Sequence, residues 1–207
     1  MRFVKSDDYH AVAKIVSLFL PADVEIYRWE KNGQPEIIKT IAIKDRITLP
    51  MTILINQETE GAAEVLAAVL KEQINAVVIG RSASAGKAYR TADHKLADGK
   101  ILRFATEKIK LPKSGDLFQK GLVPDVTPPE FSQEAEREIF SKPFEPPIEF
   151  SEKPLFNESI LTGKLASPLL TAVEKERKHR VVPASNNDLV LQRAMDILKG
   201  MHALGLS

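Results

Sequence analysis

The chain contains no cysteine. Disulfides, thiolate nucleophiles and Cys-ligated zinc or iron–sulfur centres are thereby excluded. Compartment is not, because a cysteine-free chain suits reducing and oxidising surroundings alike. Long apolar runs are missing as well, and none approaches the roughly 18–20 residues of a membrane-spanning helix. The opening residues Met1-Arg2-Phe3-Val4-Lys5-Ser6-Asp7-Asp8 lack the apolar stretch of a signal peptide. Neither sign of charge dominates. Twenty-nine Lys and Arg stand against 28 Asp and Glu, a net charge of +1, without the basic excess that grips a nucleic-acid backbone. Histidine is scarce, and His10, His94, His179 and His202 have no spacing that suggests a metal site or a triad. Each is read as a surface or packing residue.

What is present is globular composition, 43% apolar and 28% charged in 207 residues, enough for one ordinary domain and a tail. Proline and glycine divide it unevenly. Eight of the 13 prolines fall between Pro128 and Pro183, whereas seven of the ten glycines stand singly before residue 125. The expected organisation is a core over 1–126, a Pro-rich, poorly periodic connector over 127–185, and an amphipathic helix within 186–207.

Within the core, Tyr9–Leu20 presents a wide apolar helical face, with Ser6-Asp7-Asp8 ahead to cap it and Pro21 to end it. Val24–Trp29 alternates at period two, reaches Lys31-Asn32-Gly33 and resumes over Ile37–Ile43, which predicts a hairpin. Tyr27 and Trp29 share one strand face and read as core packing. Met51–Ile55 and Ala76–Gly80 read as buried strands around an Ala- and Leu-rich helix over Gly61–Leu70, a βαβ unit. The first strand's exit and the helix start then meet at a sheet edge, where ligands commonly bind. Residues 88–96 and 100–110 read as strands joined through Asp98-Gly99. Asp188–Leu204 predicts the closing helix, begun by an Asn186 or Asn187 cap.

The order of these blocks resembles the catalytic domain of the tail-specific, carboxy-terminal processing serine peptidases of the S41 type. Arg2 through Leu18-Phe19-Leu20-Pro21 is similar to the family's Arg-Asn-x-Pro-Gly-Gly loop and the helix ending Leu-Phe-Leu-Pro. Ile53-Leu54-Ile55-Asn56 matches its Val-Leu-Val-Asn strand, and Thr59-Glu60-Gly61-Ala62-Ala63-Glu64 falls on Ser-Ala-Ser-Ala-Ser-Glu. Val77-Val78-Ile79-Gly80 with Gly86-Lys87 follows Val-Leu-Val-Gly with Gly-Lys, and Lys120–Val126 matches Gly-Lys-Gly-Ile-x-Pro-Asp-Val. The closing helix is similar to the Gln-Leu-x-x-Ala-Leu-x-x-Leu stretch. The implied fold is α/β, a ClpP/crotonase-like core of βαβ units with added β-hairpins, followed by the connector and the C-terminal helix. No cofactor is implied.

Peptidases of this kind use a serine whose proton is taken by a lysine that burial keeps neutral, with two amides aimed at the oxyanion. By resemblance Lys87 stands at the general-base position, and the amide of Ala62 is a candidate oxyanion donor. The nucleophile position, three before Glu64, is Gly61, which has no hydroxyl. Thr91 stands where the family often carries an orienting glutamine, and Lys5-Ser6-Asp7 stands where Pro-Gly-Gly lends an amide. Glu64 itself is explained by the helix macrodipole. The resemblance thus implies a non-catalytic relative that binds a peptide or protein C-terminus or acts as a scaffold. Two other readings remain open here. One is a working peptidase using Thr59, Ser82 or Ser84 with Lys87; the other is a crotonase-like acyl-thioester binder, for which no basic cluster is placed to hold phosphates. In the family a PDZ-like module and earlier strands precede the point matching Met1. The resemblance therefore implies a longer parent protein or a homo-oligomer, and a periplasmic or cell-envelope setting if the protein extends upstream.

Overall fold

The computed structural model describes residues 1–30, 34–128, 133–141 and 188–205. In chain order these form β1 (Lys5–Ser6), α1 (Tyr9–Ser17), β2 (Glu25–Glu30), β3 (Glu36–Lys39), β4 (Thr52–Leu54), β5 (Glu60–Gly61), α2 (Ala62–Ile74), β6 (Val77–Ile79), β7 (Tyr89–Lys95), β8 (Ile101–Leu111), β9 (Gly115–Asp116), α3 (Gln133–Ser141) and α4 (Leu189–Ala203). They fall into two units, Met1–Pro129 with Arg193–Ser207 and Glu130–Gln192.

The βαβ unit stands as expected. β4 and β6 run parallel in the register Thr52↔Val77, Ile53↔Val78, Leu54↔Ile79, with α2 as the crossover. Val65, Val69 and Leu70 of α2 are almost fully buried, each contributing roughly 1.5–3 kcal/mol of apolar burial. Small Ala62, Ala63, Ala67 and Ala68 are buried with them, so nearly every face of this helix is covered. Asn75 closes it in the left-handed conformation at φ 55°. A third parallel segment joins β6. Val126 bridges Ile79, the Val78 N–H donates to Asp125 Oδ2 at 2.9 Å, and the Asp125 N–H donates back to the Val78 carbonyl at 2.7 Å. The Pro124-Asp125-Val126 motif is therefore a sheet-completing device.

The hairpins build a separate antiparallel sheet in the order β3-β2-β8-β7, with β9 on β8. The β2–β3 turn lies outside the described residues. Asp98-Gly99 makes the β7–β8 turn, with Gly99 at φ 82°. β2 buries Ile26, Tyr27 and Trp29. Trp29 packs edge-on against Tyr9 at 4.7 Å between centroids, and Arg90 lies 4.1 Å over its ring. Core packing, as expected of Tyr27 and Trp29, is what the side chains do.

Several boundaries differ from the sequence reading; α2 runs on to Ile74 and β3 ends at Lys39. α1 is capped by Asp8, which accepts from the Ala11 N–H at 3.0 Å, but it ends at Ser17. Leu18 and Phe19 instead bond back to Ile15 and Val16 in a tighter turn. α3 forms within the Pro-rich segment, in the proline-free interval between Pro129 and Pro143. At the start of α4, Asp188 accepts from the Leu191 N–H at 3.0 Å, taking the capping role expected of Asn186 or Asn187, which lie outside the described residues.

Candidate functional site

The site begins where β5 turns into α2. β1 lies parallel to β5, pairing Lys5 with Glu60 and Ser6 with Gly61. Gly61 has φ 68° and ψ −124°, a conformation that L side chains rarely adopt. A strained strand-to-helix turn of this kind is how hydrolase nucleophile elbows expose their serine. Here the space is taken: a Cβ at position 61 would overlap the carbonyl oxygen of Ser6. The turn has the shape of an elbow, and a backbone acceptor stands where the side chain would be.

Behind it, the carboxylate of Glu64 is wholly buried. It accepts four hydrogen bonds. Oε2 takes the N–H of Gly61 at 3.1 Å and of Lys87 at 2.8 Å. Oε1 takes the Gly86 N–H at 2.7 Å and the Ser84 hydroxyl at 2.5 Å. Ser84 Oγ in turn accepts from the Leu122 N–H at 2.7 Å. Gly121, at φ 68°, lets its backbone pass against the Ser84 carbonyl, where a Cβ would overlap it. One side chain thus ties the start of α2 to the 84–87 loop, and through Ser84 to the 121–122 turn.

Lys87 leaves this loop toward solvent. Its amine donates to Glu60 Oε2 at 3.0 Å and 50% of its side-chain surface is exposed. The hydrogen bond and charge of Glu60 hold the ammonium above the ordinary lysine range. A general base needs the opposite shift, produced by desolvation. Lys87, Glu60 and Thr91 line one polar cleft of about 620 Å³, together with Asp7, His10, Arg90 and Arg103. The structure therefore brings Lys87 and Thr91 together in this cleft, while Gly61 is paired beside Ser6 of β1. Arg90 is held by Glu107 and Glu36 at 2.7 and 3.1 Å, and Arg103 by a bidentate pair with Asp93.

On the other side of β1, a smaller groove of about 160 Å³ is lined by Val4, Ala11, Val12, Ile15, Ala62 and Leu66, with Ser6 and Asp8 at its edge. Ala62, the first residue of α2, lines this groove. The remaining hydroxyls are engaged elsewhere. Thr59 is buried; its Oγ1 donates to the Met1 carbonyl at 3.1 Å and accepts from the Asn56 N–H at 3.1 Å. Ser84 belongs to the Glu64 network, and Ser82 is half-buried in the preceding loop.

No group of three or more His, Cys, Asp or Glu among the described residues is arranged to hold a metal ion. Nor is any helix among them long and apolar enough to cross a membrane. His10 lines the cleft, His94 lies on β7 and His202 on α4; His179 lies outside the described residues. Sequence reasoning missed Glu60 as the partner of Lys87 and the convergence on Glu64. Its only available signal was an acid three residues into a helix that follows a glycine.

A family model described as Peptidase family S41 matches residues 8–127. The "Probable CtpA-like serine protease" of Staphylococcus saprophyticus subsp. saprophyticus is 30% identical over 114 residues, which cover 54% of this chain and 23% of that protein. The protein of the same name from Staphylococcus aureus (strain COL) is 29% identical over 116 residues, covering 55% and 23%. This chain thus spans about a quarter of the length of these curated relatives. Among solved structures, the photosystem II D1 C-terminal processing protease superposes with a TM-score of 0.52 at 20% identity, covering 61% of this chain and 32% of that one. The likeness is one of fold, a mixed α/β arrangement of the same kind.

Proposed function

The chain belongs to peptidase family S41, and from that premise we propose that it is a non-catalytic member that binds peptide or protein C-termini. We read its α/β fold as the ClpP/crotonase-like variant. The observation that carries the proposal is the pair Ser6 and Gly61. Acyl transfer requires a nucleophile and donors aimed at the oxyanion; position 61 offers no hydroxyl, and an acceptor oxygen crowds it. The ammonium of Lys87, favoured in its charged form by Glu60, suits holding a carbonyl or carboxylate group. The readings that use Thr59 or Ser84 as nucleophile meet hydroxyls already bonded to other acceptors.

Two recesses flanking β1 support peptide binding. The apolar groove beside Ala62 has room for a single apolar side chain, and the cleft beside Lys87 offers polar partners for a main chain. The test is fluorescence polarisation with a labelled peptide ending in an apolar residue, alongside a fluorophosphonate probe and a turnover assay. Saturable binding is expected, weakened about tenfold by Ile15→Glu at the groove rim, with no labelling and no cleavage. Labelling that Lys87→Ala abolishes would establish the working-peptidase reading instead. Absence of binding, with the fold intact by circular dichroism, would remove the peptide-binding role.

A further inference from the structure

We propose that two copies of this chain associate through the outer edge of β7, in the antiparallel register centred on His94. The β7–β8 hairpin outruns its sheet. β2 pairs with β8 only at Lys108–Lys110 and β9 only at Lys110–Leu111, so Ile101–Thr106 has β7 as its strand partner and nothing on the other side among the described residues. Every residue from Ile101 to Thr106 is exposed. A two-stranded ribbon is marginal alone in water and gains from further strands, and an open edge invites pairing. No strand among the described residues covers the outer edge of β7.

The two faces of this arm differ. The pairs Ala92↔Phe104 and His94↔Leu102 place an apolar set on one face, with Phe104 46% and Leu102 50% exposed. The pair Asp93↔Arg103 lies on the other face, which also carries Lys95. Lys95 has no ion-pair partner among the described residues, whereas Asp93 is bound by Arg103.

Charge selects the register. In a symmetric antiparallel pair, directly opposed residues share a face, so the two-fold axis must fall on a residue. Centring on Asp93 opposes two aspartates, and centring on Lys95 opposes two lysines; both are unfavourable. Centring on Ala92 sets Asp93 against Thr91 and Arg90 against His94, with no attractive charge pair. Centring on His94 sets Asp93 against Lys95 of the second copy, twice by symmetry, and Ala92 against its Leu96, also twice. Each Asp93 then lies between its own Arg103 and the second copy's Lys95. On the apolar face, Ala92 is flanked by Phe104 and by Leu96 of the other copy. The two hairpins become one four-stranded sheet, and both open β7 edges disappear.

Sedimentation of the full chain across a range of concentrations tests this. Wild-type protein is expected to dimerise reversibly, and Lys95→Glu to weaken the dimer about tenfold or more by opposing Glu to Asp93 at two places. Lys14→Glu on α1 makes the same change in net charge and is expected to leave association unchanged. The triple variant D93K/K95E/R103E reverses every charge in the row and is expected to restore dimers. Amide exchange over Thr91–Lys95 should also slow as wild-type concentration rises, a readout that needs no variant. A wild-type monomer at all concentrations would overturn the proposal, as would a dimer indifferent to Lys95→Glu, or equal effects of the Lys95 and Lys14 changes. So would exchange over Thr91–Lys95 that ignores concentration, or a folded triple variant that stays monomeric.

Discussion

The carbonyl oxygen of Ser6 occupies the position at which a side chain on Gly61 would begin. The two residues are paired across the parallel strands β1 and β5, so the contact is fixed by backbone and no rotamer change relieves it. Position 61 offers no hydroxyl, and the backbone of β1 crowds the place where a side chain would stand.

Gly61→Ser is therefore expected to destabilise the protein without creating a peptidase. Positive φ at a non-glycine residue and the forced separation of β1 from β5 together cost about 3 kcal/mol or more. Chemical denaturation followed by Trp29 fluorescence measures the loss, and a fluorophosphonate probe checks for reactivity. Labelling of the variant would show that β1 yields readily.

Much of the scaffold was legible because its signals are local. Two apolar runs bracketing an Ala- and Leu-rich segment are enough to specify a βαβ crossover, and Asp98-Gly99 between alternating stretches is enough for a hairpin. The site was legible only as residue types. That position 61 lacks a hydroxyl is plain from the sequence, but the obstruction by Ser6 comes from strand pairing across more than fifty residues. The pairing of Lys87 with Glu60 spans 27 positions, and the four donors around Glu64 come from positions 61, 84, 86 and 87. Nothing in periodicity or spacing makes such groups converge. Ser84 read as a candidate nucleophile for the same reason: sequence shows a hydroxyl and hides its acceptor.

Glu64→Gln is expected to cost about 3–5 kcal/mol, since an amide turned toward Gly86 or toward Lys87 opposes donor to donor. Ser84→Ala should cost less, about 1–3 kcal/mol, by removing one donor to Glu64 and leaving the Leu122 N–H unpaired. Amide exchange distinguishes this network from general loosening. Gly61, Gly86 and Lys87 should lose protection in Glu64→Gln before the core of α2 does. Equal loss throughout would mean that Glu64 is not a local tie.

Lys87 should titrate above the ordinary lysine range, because the Glu60 carboxylate stabilises its ammonium. A folded-state pKa raised above the unfolded one contributes stability that is present below the unfolded value and lost as pH rises through the folded one. With half the side chain in water, the contribution is small, and Lys87→Met should change stability by less than about 0.5 kcal/mol. Reductive methylation with carbon-13 followed by NMR titration reads the midpoint directly. A midpoint well below the ordinary range would support Lys87 in the general-base role.

The buried tyrosines set a limit at alkaline pH. Burial pushes the Tyr27 phenol up to about 12 and raises Tyr9 further still, with the nearby charge of Asp7 adding to the effect at Tyr9. Their hydroxyls donate inward, Tyr27 to the Tyr9 carbonyl at 2.9 Å and Tyr9 to the Tyr89 carbonyl at 3.2 Å. Both groups favour their neutral forms when folded. Stability is therefore intact below the unfolded tyrosine value near 10 and falls as pH rises from there toward the folded values, because only the unfolded chain sheds these protons. Ultraviolet difference titration should show Tyr9 and Tyr27 ionising together with the loss of native Trp29 fluorescence. Tyr27→Phe should move that transition upward by removing one of the two linked protons, even though losing the hydrogen bond costs about 1 kcal/mol at neutral pH. Ionisation of either tyrosine well before unfolding would mean that the packing of Tyr9, Tyr27 and Trp29 admits water.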